Sequence, residues 1–463
     1  MWLCYNNSWH VACYLLDGVP APKQVARLQH RCQPASREDN NLESSMKNIF
    51  ASHRFRAPWL AGALLPLLVA PVMAVDLSTP DGAWTFSING NVNADYVYSS
   101  CQSPTTPAVA GGLACRGSAN GNGVSTVDNG LLPAAFVFGV ATTQDGFDIT
   151  AHLGLYPGIA THDGGSPNGG GTNAALGTAG LDVRQVYLTF GNKEMGTFTF
   201  GRQIGLFGAD VILNDMTLIG VGGPGGGASA APGNTTLGGI GLGYIYTDWL
   251  AQMDYTTPDF SGFNLTFGIF DPINSLTNPD ATEPKKAPGF HGKAAWTLPI
   301  ADGTKFYASA TFITQQQDYV GPVIGPYSYT GTGYDVFAKI DVQGFEAFGY
   351  YYHGSGLGTT GLFVLSDDGF GHKRDSDGYM AQISYKFGPL KIGANYGDSR
   401  LDLANGEVNP GLVRSNRKAT GGAYYSLTKN LTLLGEFSNV RSEAQSGYTN
   451  SANTFNVGAF VGF

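Results

Sequence analysis

The side chains that could carry out bond chemistry in this chain are few and scattered. His10, His30 and His53 fall in the first 74 residues, and His152, His162, His291, His353 and His372 lack the paired spacing of a metal site. No Gly-x-Ser-x-Gly segment offers a serine nucleophile. Gly220-Val221-Gly222-Gly223-Pro224-Gly225 has the spacing of a dinucleotide loop, but Pro224 intervenes and no helix follows, so composition explains it. Cys4, Cys13 and Cys32 do not make a zinc-ligand spacing. No catalytic residue, metal or cofactor is expected. What remains is electrostatics: single Lys, Arg, Asp and Glu residues set into alternating segments.

Those segments must position the charges, and composition indicates what they are. The chain has 463 residues, of which 43% are hydrophobic and only 13% charged, with 66 Gly, 23 Tyr and 27 Phe. Soluble domains carry about a quarter charged residues. Low charge and many aromatics, with no long apolar helix in the body, suit a transmembrane barrel, whose strands face lipid on one side and water on the other. The formal charge of −9 and the absence of any basic run longer than Lys285-Lys286 or Lys373-Arg374 argue against a nucleic-acid partner.

From Met46 the chain has the layout of a secretory signal peptide. Lys47, Arg54 and Arg56 form a basic start, residues 57–74 carry no charge, and Val72 and Ala74 supply small residues for cleavage after Ala74. Pro58, Pro66 and Pro71 interrupt the apolar run, which disfavours a membrane-spanning helix. Residues 1–45 then read as a leader upstream of the true start, with a small Cys-bearing domain as the alternative. The barrel is expected over residues 75–463, with 19 Lys/Arg against 31 Asp/Glu, a net −12. Export exposes Cys101 and Cys115 to an oxidising compartment, which favours a disulfide between them over two free thiols.

Beyond Val75 the chain alternates with period two between Gly, Asn, Asp and Pro clusters. Sixteen strands are predicted: 83–100, 131–143, 147–158, 183–192, 196–208, 243–257, 263–271, 291–299, 304–317, 333–342, 345–356, 378–388, 390–401, 414–428, 431–443 and 452–463. Tight turns such as 144–146, 343–344 and 429–430 alternate with long connections, the longest being 209–242. This is an all-β, antiparallel meander with short periplasmic turns and long extracellular loops. Phe455, Val457, Ala459 and Val461 form a lipid face; Asp335, Lys339 and Asp341 face inward. Tyr96, Tyr98, Tyr244, Tyr246, Tyr350, Tyr351, Tyr424 and Tyr425, near strand ends, are expected in the interfacial girdles.

Three segments carry a family likeness: Val183-Arg184-Gln185-Val186-Tyr187-Leu188, then Gly196-Thr197-Phe198-Thr199-Phe200-Gly201-Arg202-Gln203, and the terminal Gly458-Ala459-Phe460-Val461-Gly462-Phe463. In their order and spacing the chain resembles the trimeric outer-membrane porins of Gram-negative bacteria, of the type common in proteobacteria. The resemblance implies a 16-stranded barrel in the outer-membrane lipid, a homotrimer, an inward-folded third loop at 209–242, and recognition of Phe463 by the barrel-insertion machinery. It also implies a water-filled channel for ions and small hydrophilic solutes.

Selectivity in such a pore depends on its width and on the charges around its narrowest point. Asp210 and Asp215 are the acidic candidates on the inward loop; Arg184 and Arg202, carried over from the motif, are the basic candidates on the wall. Inward parity adds Lys339, Lys386 and Lys391. Both arginines share parity with lipid-facing neighbours, so a bulge near Gly201, a strand-end position or a subunit interface is required. The family's second strand commonly opens with a basic residue, whereas Leu131-Leu132-Pro133-Ala134-Ala135-Phe136 has none. With the net −12, this makes mild cation preference as plausible as anion selectivity. A substrate-specific channel for aromatic or carbohydrate nutrients, drawing on Tyr350–Tyr352, is the alternative to a general pore; a barrel enzyme is the remote one.

Overall fold

Alternation forces pairing: a strand with one apolar face and one polar face can satisfy its backbone in a membrane only if every edge finds a partner. The computed structural model describes residues 2–7, 10–15 and 75–463, except 103–105, 116–122, 160–180, 224–234, 276–285 and 322–324. Within them sixteen strands close into an antiparallel barrel: Trp84–Cys101, Ala135–Gln144, Phe147–Pro157, Leu181–Asn192, Gly196–Ile204, Trp249–Thr256, Phe263–Phe270, Gly289–Ala301, Thr304–Tyr319, Tyr327–Val342, Phe345–Ser355, Asp375–Phe387, Leu390–Leu401, Val413–Ser426, Leu431–Ala444 and Thr449–Gly462. Among the described residues no helix is long and apolar enough to cross a membrane; the strands cross it.

Closure rests on the chain's end. The last strand pairs with the first from Ala452↔Cys101 to Gly462↔Asn91. Beyond it, the Phe463 amide donates to the Gly90 carbonyl (3.0 Å) and the Gly90 amide to the Phe463 carbonyl (2.8 Å). The Phe463 ring packs 5.4 Å from Phe136. Gly90 is required by close approach, since a Cβ there would lie 2.0 Å from the Ala135 carbonyl oxygen. The tight turns Asp145-Gly146 and Gln343-Gly344 hold both residues at positive φ, the twist that suits a two-residue hairpin.

Two strands begin well inside their predicted spans, and two extra strands appear. The second strand begins at Ala135, because Leu131 and Leu132 donate to the Gly220 and Leu218 carbonyls of the inward loop instead (2.6 and 2.9 Å). The sixth begins at Trp249, and residues 243–248 stay inside the barrel. Two extra strands flank the first: Val75–Ser78 below and Val124–Asp128 above, the latter returning from the first long loop. That loop carries a disulfide between Cys101 and Cys115, with Cα atoms 4.7 Å apart.

The girdle assignment is half corrected. Tyr96, Tyr98, Tyr351 and Tyr425 point outward and are exposed, whereas Tyr244, Tyr350 and Tyr424 are buried inside and Tyr246 lies half-buried, its amide donating to the Thr360 carbonyl. The reason is a feature that alternation does not reveal. One half of the interior is apolar, because Phe207, Val211, Ile212, Ile240, Tyr244 and Ile245 of the inward segment pack on Ile313, Phe337, Phe348, Tyr350, Tyr352 and Met380 of the wall. Each such side chain contributes about 1.5–3 kcal/mol by leaving water.

The chain divides into Met1–Leu60 and Ala61–Phe463. In the first unit Trp2–Asn7 and His10–Leu15 pair antiparallel, a hairpin that the sequence pattern did not indicate. The signal segment 46–74 and its cleavage position, Ala74, lie outside the described residues.

Candidate functional site

The inward loop leaves the wall after Ile204 and returns at Trp249. Gly208, at φ 74°, turns the chain into the short helix Ala209–Asn214, and Asp215 caps the 3-10 turn Met216–Ile219 by accepting from the Thr217 amide (3.0 Å). A positive φ is open to glycine at no steric cost.

The two acidic candidates lie on this loop and turn toward the wall it leans on. Asp210 accepts from Lys293 Nζ (2.6 Å), the Tyr307 hydroxyl (3.0 Å) and the Ser309 hydroxyl. Asp215 accepts from the Tyr244 hydroxyl (3.0 Å) and Asn395 Nδ2 (3.0 Å), with Lys418 Nζ at 3.8 Å. Burial, and then the Asp215 charge, push the Tyr244 phenol well above its ordinary range, so it remains a donor. Further ties fix the loop. The Gly208 amide donates to Asp335 (2.7 Å), the Met216 amide to Gln382 (2.7 Å), and the Val221 and Gly222 amides both donate to Glu436 Oε2 (2.9 Å each). Lys418, buried completely, donates to the Gly222 carbonyl (3.0 Å).

The basic candidates do not converge on those acids. Arg184 does face inward, through a bulge: Gly154 pairs with Gln185 and Leu155 with Val183, leaving Arg184 the extra residue. There it binds Asp182 (3.0 Å) and stacks over Tyr156 (5.2 Å). Arg202 is a correction. No register shift interrupts its strand, so it stays opposite outward Val186, exposed on the outer face and away from the pore.

Lys339 faces inward against Asp341 (3.0 Å), and Lys391 against Glu346 (2.8 Å). Lys386 is exposed beside the turn that follows Phe387. The sequence reading missed Lys293 and Lys418, the cations that hold the loop. Their signal was the same inward parity that singled out Lys339.

Across from the strapped wall the interior is different. One row of inward positions runs Ser87, Gly139, His152, Tyr187, Gly201 across five strands. The His152 and Tyr187 rings stack at 4.6 Å, with a glycine on either side leaving space. The row below, toward the turns, holds Thr85, Ala141, Thr150, Thr189 and Thr199, with Thr150 and Thr189 hydrogen-bonded at 2.6 Å. These side chains are half-exposed and uncharged, as are the half-exposed loop residues Leu206, Leu213, Asn214 and Ile219. Tyr350 and Tyr352, with 4% and 0% exposure, lie beneath the loop and cannot meet a solute.

A closed barrel with water-accessible polar walls and a loop strapped across its interior is a membrane channel. Residues 61–445 match the model of the Gram-negative porin family, and the chain belongs to that family. Three solved structures share its fold. The outer membrane channel DcaP of Acinetobacter baumannii has 16% identity, covering 84% of this chain and 99% of that one, with a TM-score of 0.57. An anion-selective porin from Comamonas acidovorans has 14% identity, 82% and 100% coverage and a TM-score of 0.54. Salmonella typhi OmpF, in complex with daunomycin, has 14% identity, 84% and 100% coverage and a TM-score of 0.52. No curated protein matches the chain. It is an outer-membrane porin, forming a channel for passive diffusion.

Proposed function

We propose that this porin passes small hydrophilic solutes with weak charge selection, through a constriction lined by neutral groups. The observation that carries this reading is the orientation of Asp210 and Asp215. Their charges are compensated by Lys293 and Lys418 on the wall behind them, so little transverse field is left across the open side. His152, Tyr187, Thr150, Thr189 and Gln185 on one side and Leu213, Asn214 and Ile219 on the other set the passage. Arg184, Lys339 and Lys391 act as paired wall charges, and Lys386 as a charge at the turn-side mouth. In the same reading three copies associate, as is typical of the family, insertion uses Phe463, and residues up to Ala74 are removed on export. No catalytic role is included.

The test is reversal potential in planar bilayers under a salt gradient, with liposome swelling by neutral sugars and by sugar acids. A cation-to-anion permeability ratio within about threefold of unity is expected, with neutral and anionic sugars of one size entering at comparable rates. A ratio beyond about tenfold in either direction overturns the proposal.

A further inference from the structure

The uncharged side of the passage holds one feature that a plain wet wall does not need. His152 and Tyr187 stack at 4.6 Å and nearly parallel, at 17°. His152 covers one face of the Tyr187 ring, so the other face turns toward the next strand, where its register partner is Gly201. The partner of Gly201 on the strand beyond is Gln252. Its side chain is drawn to the wall by the Ile204 and Gln203 carbonyls, at 2.9 and 3.4 Å, and is buried. Tyr187 and Gln252 thus stand two strand spacings apart, about 9.6 Å, with bare backbone between them. That gap admits one ring in van der Waals contact with Tyr187, at about 3.5–4.0 Å.

The floor of this slot can be only glycine. Gly201 sits at φ 126°, and a Cβ there would lie 2.3 Å from the Val186 carbonyl oxygen and 2.7 Å from the Tyr187 Cα. Its backbone is half-exposed to the lumen, as is the Tyr187 ring.

The groups around the slot decide what fits it. Gln185 and Gln203 stand one inward step toward the loops, and Thr189 and Thr199 one step toward the turns. All four are half-exposed and none is charged. Gln185 Oε1 accepts from the Tyr156 hydroxyl (2.8 Å), which leaves its Nε2 hydrogens for a solute. An amide donates and accepts, and so does a hydroxyl. An aromatic face beside neutral amides and hydroxyls suits a ring that is apolar on one side and rimmed with hydroxyl groups. A flat aromatic solute would use the Tyr187 face and leave the surrounding amides and hydroxyls to water.

We propose that the slot between Tyr187 and Gln252, floored by Gly201, is a binding subsite for the ring of an uncharged sugar in transit. The C–H face of the sugar lies against the negative face of the Tyr187 ring. Its hydroxyls exchange hydrogen bonds with Gln185 and Gln203 above and with Thr189 and Thr199 below. This inference rests on the passage proposed above along the uncharged side, and adds a solute class to it.

The experiment measures entry of glucose and of sorbitol, its open-chain alcohol, into liposomes carrying the folded barrel, over a wide concentration range. The two solutes have similar size and hydroxyl content, but only glucose has a ring face. Glucose entry should saturate and, at low concentration, run about threefold faster than sorbitol entry, which should rise linearly. Tyr187→Ala should make glucose behave like sorbitol, and Tyr187→Phe, which keeps the ring face, should preserve saturation. Tyr425→Ala, an exposed aromatic on the outer face, should change nothing. Heat-modifiability on gels reports folding, and the glucose–sorbitol comparison in the unaltered chain stands whether or not Tyr187→Ala folds. Linear, equal entry of both solutes overturns the inference, as does undiminished saturation in Tyr187→Ala. Competition for glucose entry by benzyl alcohol but not by galactose overturns it too, assigning the slot to aromatic solutes. Linear sugar entry with a cation-to-anion ratio near unity strikes this inference alone, whereas a ratio beyond about tenfold strikes the underlying reading of the pore.

Discussion

The two sides of this barrel's interior use the same strand architecture for opposite purposes. On the strands from Gly289 to Ala444, large apolar side chains and charges stand among the polar residues of the inward face, and four lysines each meet a carboxylate: Lys293 with Asp210, Lys418 with Asp215, Lys339 with Asp341, Lys391 with Glu346. On the strands from Trp84 to Ile204 the two half-exposed inward rows hold Ser, Thr, Ala, His, Tyr and Gly, with buried Asp95 and the buried Arg184–Asp182 pair nearer the loops. The first side anchors a loop and the second is left for solute. Burying a charge is tolerable only with a partner, so strapping the loop consumed the charges that might have set selectivity.

The strongest way to break this contrast is to remove an anchor. Lys418→Met leaves Asp215 and Glu436 with an uncompensated buried charge, and breaking such a pair costs about 3–5 kcal/mol. Single-channel conductance should rise and fluctuate as the loop loosens, and thermal stability should fall. Adding Asp215→Asn to it should recover much of the loss, and a conductance unchanged by Lys418→Met would mean that the loop is held by its apolar packing alone.

A charge placed on the bare side should act on permeation instead. Tyr187→Lys is expected to move the permeability ratio toward anions by about threefold, with little effect on stability. Lys339→Gln, behind its own ion pair, should move it much less. Equal shifts from the two variants would erase the distinction between the sides.

The loops above the strapped side carry an acid-sensitive clasp. Glu407 accepts from Arg374 at 2.6 and 2.8 Å, and this bonding holds its carboxyl below the usual glutamate range despite partial burial. A depressed folded value means that the clasp's stabilisation is present above the unfolded pKa of about 4.3 and is lost as pH falls through the folded one. Channel closures or added current noise below about pH 4 should therefore appear in the natural chain. Glu407→Gln should show that noise at neutral pH, without further change on acidification.

The smallest effect is expected outside. Arg202→Leu removes an outward charge from the bare side's wall, so conductance and selectivity should not change, while stability should rise by about 0–1 kcal/mol if the site lies near the interface. A selectivity change on this substitution would return Arg202 to the pore.

Much of the fold was legible because barrel strands encode their faces locally. All sixteen predicted strands overlap an observed one, and Leu390–Leu401 agrees at both ends. Where reading failed, an element outside the strand had intervened. Tyr350 and Tyr424 looked like girdle residues by position, but parity sends them inward beneath the loop. Arg184 and Arg202 both looked misdirected by parity; one bulge redirected the first and none redirected the second. A bulge adds one unpaired residue and leaves no sure mark in composition. Asp210 and Asp215 were correctly placed on the inward loop, but which wall they would face depends on strands more than eighty residues away.

The sequence by itself determined the class of the molecule: the period-two alternation, the alternating turn and loop lengths, and the terminal aromatic strand leave a closed membrane barrel as the arrangement that pairs every edge and wets one face. Only the tertiary structure decided which interior half is packed and which is open. That choice arises from contacts between the inward loop and distant strands, made by apolar burial and matched charge, and neither is recorded in any local stretch of residues.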